Sequence, residues 1–92
     1  MPFAYILKCS DGSLYVGSTW DLARRFDAHQ AGLGAIHTAR RLPVELAHAE
    51  EFDRIEDAYR RERQLHGWSR AKKLALVSAQ QDQLPSLARK NF

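Results

Sequence analysis

A chain of 92 residues suits one small domain with a modest core, and its 45% apolar content argues against a disordered polypeptide. No apolar run approaches the ~20 residues of a membrane-spanning helix, and the N-terminus lacks the apolar stretch of a signal peptide, so a cytoplasmic protein is expected. The net charge of +3 favours a polyanionic partner without requiring one, and the single Cys9 excludes an internal disulfide.

Residues 3 to 9 and 13 to 19 are β-rich runs around Ser10-Asp11-Gly12, a strong hairpin signal. The register bears on function. A two-residue turn at Asp11-Gly12 would pair position 5 with 18 and put Tyr5 and Tyr15 on opposite faces. A three-residue loop with Gly12 left-handed pairs 5 with 17 and 7 with 15, and the two tyrosines then share a face. A joint site needs the second arrangement, so the bulged loop is predicted. Cys9, within the first strand, reads as small core filler.

Asp21 is a good N-cap for a helix over about 21 to 31, with Leu22 and Phe26 as its buried stripe and Arg25 and His29 together on the neighbouring face. Residues 32 to 43, with two glycines, a proline and two arginines but no clean periodicity, read as a loop long enough to be functional. Val44 to Glu50 alternates with period two and should add a third strand to the hairpin.

Asp53, with Glu56 completing a capping box, is expected to start a second helix whose apolar stripe is Ile55, Ala58, Tyr59 and Leu65. Glu62 lies on that stripe, a carboxylate out of pattern of the kind that marks function or a buried ion pair. Gly67 should end this helix, and Ser69 should cap a third that runs to about Gln80 with Ala71, Leu74 and Val77 inward. The reading is one α+β domain over residues 1–80, a three-stranded antiparallel sheet flanked by three helices, and a loosely held tail over 81–92. Four basic clusters (Arg24-Arg25, Arg40-Arg41, Arg60-Arg61 with Arg63, Arg70 with Lys72-Lys73) would form a nucleic-acid footprint only if folding gathers them on one side. Phosphate-loop glycine patterns, a nucleophile elbow and zinc-ligand spacing among the histidines are absent from the sequence.

Tyr5, the Asp-Gly turn, Tyr15-Val16-Gly17, Arg25, His29 and Glu62, in that order and spacing, resemble the GIY-YIG nuclease family, most closely its small stand-alone bacterial members, over roughly residues 3 to 78. The resemblance implies hydrolysis of a phosphodiester, in DNA for preference and in repair or processing, with one divalent cation, Mg²⁺ or Mn²⁺. It makes Glu62 the metal ligand, Arg25 the guanidinium facing phosphate oxygens, and Tyr15, or else Tyr5, the group that orients or deprotonates the attacking water. His29 would bond the phosphate or share the proton work. Against this, Glu62 could pair with Arg25 or Arg63, Arg25 could be a surface arginine, and either tyrosine could be a core residue with its hydroxyl at the rim. Gly17 would permit close backbone approach. Ser18, His37, Thr38, Arg40, Arg41 and Lys72 are the further candidate substrate contacts. The first motif here is Phe3-Ala4-Tyr5, without the family's glycine, and Ser18 replaces a lysine common in the family. A non-catalytic nucleic-acid-binding module of the same fold is the alternative, and a protein-interaction domain a third reading.

Overall fold

The computed structural model describes residues 1–80, so the predicted tail over 81–92 lies outside it. Three strands, β1 (Phe3–Lys8), β2 (Leu14–Thr19) and β3 (Glu45–Glu51), form one antiparallel sheet in the order β2-β1-β3. Helix α1 (Leu22–Gln30) follows the hairpin, α2 (Ile36–Ala39) precedes β3, and α3 (Ile55–His66) and α4 (Arg70–Gln80) complete the described chain.

The hairpin register is the one that a joint site requires. Tyr5 pairs with Gly17 and Leu7 with Tyr15, and Gly12 closes the loop at φ +85°, a conformation that other residues adopt only under strain. Odd-numbered residues of β1 and β2 therefore share one face and even-numbered residues the other. A bulge between Ile6 and Leu7 where β1 meets β3 lets Leu46 and Ala49 join the odd face while Ala47 and His48 join the even one.

Each face carries its own core. On the odd face Tyr5, Leu7, Cys9, Val44 and Leu46 pack under Leu22 and Phe26 of α1. On the even face Ile6, Val16 and Ala47 pack under Leu65, with Trp68, Leu76 and Val77 at the margin. Each fully buried large side chain contributes about 1.5–3 kcal/mol through water removal. Asp21 caps α1 as expected, its carboxylate accepting the Arg24 N–H at 3.1 Å. The far end of α1 is held by Gln30, whose amide donates to the Val44 carbonyl and accepts the Val44 N–H, both at 2.9 Å. Ser69 accepts the Lys72 N–H at 3.2 Å, the expected start of α4.

Four features of the fold differ from the sequence expectation. The stretch 32 to 43 is not all loop, because α2 forms one helical turn within it. Helix α3 begins after Arg54, without a side-chain cap, so Asp53 and Glu56 do not form the expected box. Tyr59 is 54% exposed, since Ile55, Ala58, Glu62 and Leu65 make the sheet-facing line and Tyr59 falls one position round from it. On α4, Leu74 and Ala71 are exposed, and Leu76 with Val77 does the packing.

Candidate active site

The odd face of the hairpin bears a continuous polar network inside its apolar core. Tyr5 and His29 are both fully buried, and the Tyr5 hydroxyl lies 2.9 Å from His29 Nε2. On the other side of the ring, His29 Nδ1 lies 2.8 Å from the hydroxyl of buried Thr38. The direction of each bond follows from the last link. Thr38 donates its proton to the Ala35 carbonyl at 3.0 Å, so its oxygen must accept from His29 Nδ1–H. His29 Nε2 is then the lone pair, and Tyr5 donates to it. Burial, then the charge of Arg25, holds His29 down to about 4, so the ring is neutral at physiological pH. Burial likewise pushes the Tyr5 phenol up to about 12, more than the neighbouring Arg25 lowers it.

Gly17 makes room for this network. A Cβ there would stand 2.5 Å from the Tyr5 hydroxyl oxygen and 2.6 Å from its ring, so the phenol lies directly on the bare backbone of β2. The close approach expected at Gly17 is thus made by the partner strand's tyrosine.

Tyr15 is half-buried beside this pair, its ring 6.5 Å from Tyr5 and 5.2 Å from His29 between centroids. Arg25 stands beside the two tyrosines, and the neighbouring Tyr5 phenol raises its pKa further. Tyr15 also stacks on His37 of α2, at 6.2 Å and an interplanar angle of 24°. The hairpin loop holds His37 in turn: its Nε2 lies 2.9 Å from Ser13 Oγ, and Ser13 donates to Asp11 at 2.6 Å. Arg41 closes the strap, donating to Asp11 Oδ2 and to the His37 carbonyl, each at 2.9 Å. The bonds from Ser13 hold the Asp11 carboxyl down to about 2.

Glu62 approaches from the other side of the sheet. It stands on α3, which packs on the even face, yet β2 is an edge strand and the carboxylate reaches that edge. Oε1 accepts from Ser18 at 2.5 Å, Oε2 lies 3.4 Å from His66 Nε2, and the side chain is 21% exposed. Its charge is felt at the Tyr5 phenol, where it disfavours ionisation. Ser18 and Arg25 both line a groove of about 550 Å³ that opens at this edge.

The structure thus gathers Tyr5, Tyr15, Gly17, Ser18, Arg25, His29 and Glu62 around one edge of the sheet. His29 and Thr38 are too buried to touch a phosphate and instead stand behind Tyr5. Arg41 is committed to Asp11, and Arg40 stays exposed on the turn after α2. Lys72 is elsewhere, its ammonium 4.2 Å above the Trp68 ring on the α4 side. Sequence reasoning had no role for Asp11 and Ser13 beyond the turn, although a serine directly after an Asp-Gly turn is the signal that a hydroxyl is held there.

A family model described as "GIY-YIG catalytic domain" matches residues 1–75. The chain belongs to the GIY-YIG family. Among relatives of this GIY-YIG chain, a UPF0213 protein of Halobacterium salinarum is 47% identical over 76 residues, covering 83% of this chain and 99% of its own. A UPF0213 protein of Staphylococcus saprophyticus is 45% identical, covering 83% of this chain and 93% of its own. The solution NMR structure of a UPF0213 protein from Bacillus halodurans superposes with a TM-score of 0.56 at 42% identity, covering 86% of this chain and 85% of that one. The GIY-YIG domain is that of a nuclease family acting on nucleic acid.

Among the described residues no three His, Cys, Asp or Glu side chains gather as a metal cage. A half-buried single carboxylate held at the edge strand by Ser18 does fit an ion of the Mg²⁺ type, which keeps most of its waters and takes one or two carboxylates beside a phosphate. No described helix is long and apolar enough to cross a membrane.

Proposed function

We propose that this GIY-YIG protein is a divalent-metal-dependent endonuclease that hydrolyses phosphodiester bonds in DNA, in the course of DNA repair or processing in the cytoplasm. The observation that carries the reading is the convergence of two phenols and a guanidinium on one side of the β2 edge with the Glu62 carboxylate reaching it from the other.

The two phenols have unequal roles. Tyr5 keeps its proton at neutral pH, because it is buried and donates to His29. A group that does not release its proton cannot take one from water, so Tyr5 serves as a fixed neighbour that positions Arg25. Tyr15, at the rim, is the phenol placed to orient the attacking water, and it takes that water's proton only after its own has left to solvent. Arg25, charged throughout, turns its planar fork to the phosphate oxygens as negative charge grows on them. Glu62 would hold the cation, which when bound supplies charge stabilisation at the phosphate. Ser18 fixes the carboxylate's orientation, and the cation would take the place of the longer contact to His66.

The test is nicking of supercoiled plasmid with Mg²⁺ or Mn²⁺ by the wild type, Glu62→Ala and Arg25→Ala. Wild-type nicking that both substitutions abolish supports the reading, and nicking that survives Glu62→Ala refutes it. One observation favours a second reading, a module that binds nucleic acid without cutting: both Glu62 oxygens already have partners in Ser18 and His66. Salt-dependent DNA retention without nicking would select it.

A further inference from the structure

The groove beside Arg25 contains more than a phosphate requires. Trp20, immediately after β2, is 64% exposed, an unusual position for the largest apolar side chain. It lines the groove with Ser18, Arg24, Arg25 and Ile55, so an indole and two guanidinium groups border one hollow of about 550 Å³. Among the described residues the only carboxylate in that lining, Asp21, is turned onto the Arg24 N–H as the α1 cap. The groove is continuous with the candidate centre, because Arg25 belongs to both and Ser18 holds Glu62.

We propose that this groove is a subsite for one unpaired nucleotide next to the scissile phosphate, with Trp20 stacking on its base and Arg24 facing its phosphate. The inference rests on the nuclease reading for what happens at Arg25, while the subsite itself requires only binding. The chemistry selects this occupant. An exposed aromatic plane flanked by arginines is how proteins take up single-stranded nucleic acid, since every base has a face to stack. Within a duplex that face is covered by the neighbouring base pairs, so an indole in a concave groove is reached only by a base that has left the stack. The preferred substrate is therefore a nucleic acid with a single-stranded segment or an unpaired base at the cleavage position.

Fluorescence anisotropy in the presence of a chelator measures this without cleavage. The probes are a labelled blunt DNA duplex and the same duplex with a short single-stranded extension. Wild type should favour the extended duplex, Trp20→Ala should weaken that complex about tenfold and leave the blunt one unchanged, and Trp20→Phe should keep most of the preference. Arg24→Gln should weaken both probes and flatten the salt dependence. Equal wild-type affinity for the two probes, or an equal loss on both with Trp20→Ala, overturns the subsite. A Trp20-dependent preference in a protein that never nicks with Mg²⁺ upholds the subsite and removes the nuclease reading. Nicking without such a preference does the reverse.

Discussion

Two histidines are fully buried in this domain, one on each face of the sheet, and they are partnered differently. His29, on the α1 face, has both ring nitrogens engaged, one by Thr38 and the other by Tyr5. His48, on the α3 face, donates Nε2–H to Glu50 at 2.7 Å, while its Nδ1 is buried without a partner. Glu50 is gripped in turn by Arg61, through Nε at 2.9 Å and a terminal nitrogen at 3.0 Å. Burial raises the Glu50 carboxyl, but His48 and Arg61 together outweigh it and bring the group down to about 2. The first histidine leads to a phenol beside a guanidinium at an open edge, whereas the second leads to an ion pair whose two charges are matched. Burial of an imidazole therefore does not identify a site. What identifies one is whether the chain of bonds ends beside a charge that a substrate is left to neutralise.

The strongest way to break this contrast is to remove the terminal groups of each network. Arg25→Ala and Glu62→Gln should each lower plasmid nicking by about 10²–10³, roughly 3–4 kcal/mol of transition-state stabilisation. Arg61→Ala, which removes an equal charge from the α3 face, should leave nicking about unchanged while lowering the denaturation midpoint. If Arg61→Ala were as damaging to nicking as Arg25→Ala, the two faces would not be functionally distinct.

Next comes the bare backbone under Tyr5. Gly17→Ala would press a methyl group against the phenol, with 2.5 Å to its oxygen, and the ring cannot retreat because it is enclosed by Leu7, Leu22 and Phe26. Overpacking of this kind costs about 1–3 kcal/mol, to be read from urea denaturation. The displaced phenol should also carry Arg25 with it, so nicking should fall by more than the loss of folded protein explains. Unchanged stability would mean that the hairpin is less tightly stacked than the geometry shows.

The histidines can be compared directly. His29→Leu strands the Tyr5 hydroxyl in an apolar core and should cost about 1–3 kcal/mol. His48→Leu removes an imidazole that already had an unpartnered nitrogen and leaves Glu50 its Arg61, so its cost should stay within about 1 kcal/mol. The reverse ranking in thermal or chemical unfolding would contradict the contrast.

Much of the α1 face was legible in the sequence because its rules are local. Alternation around Asp11-Gly12, and a glycine able to take positive φ, decide the hairpin register within a few residues. The i, i+4 pairs on α1 place Leu22 with Phe26 and Arg25 with His29. The second layer escaped because it is built from contacts remote in sequence. Thr38 meets His29 only because α2 folds back on α1, and Arg41 meets Asp11 across thirty positions. A four-residue helix also has no periodicity to detect. Glu62 was visible as a violation of its stripe, but its approach from the opposite face depends on β2 being an edge strand, which sheet order alone decides. Tyr59 and Leu74 were misplaced because a narrow line of α3 and the Leu76-Val77 pair of α4 suffice to cover the even face.

The pH dependence of folding completes the comparison, and its window rather than its sign separates the networks. In the unfolded chain His29 titrates near the ordinary 6.5, whereas in the folded protein it stays neutral down to about 4. Between those values the unfolded state binds the extra proton, so stability falls as the pH drops. The contribution is complete above about pH 6.5 and is lost towards pH 4, with a slope of at most about 1.4 kcal/mol per pH unit. Glu50 has the same sign but a lower window, from its ordinary 4.5 down to about 2, so the two networks lose their contributions at different acidities. Urea titrations between pH 7 and 4.5 should therefore show a steeper decline for wild type than for His29→Leu, since every other group is common to both proteins. Parallel declines would mean that His29 is protonated in the folded state and donates from both nitrogens, and the Tyr5 hydroxyl would then have to point elsewhere.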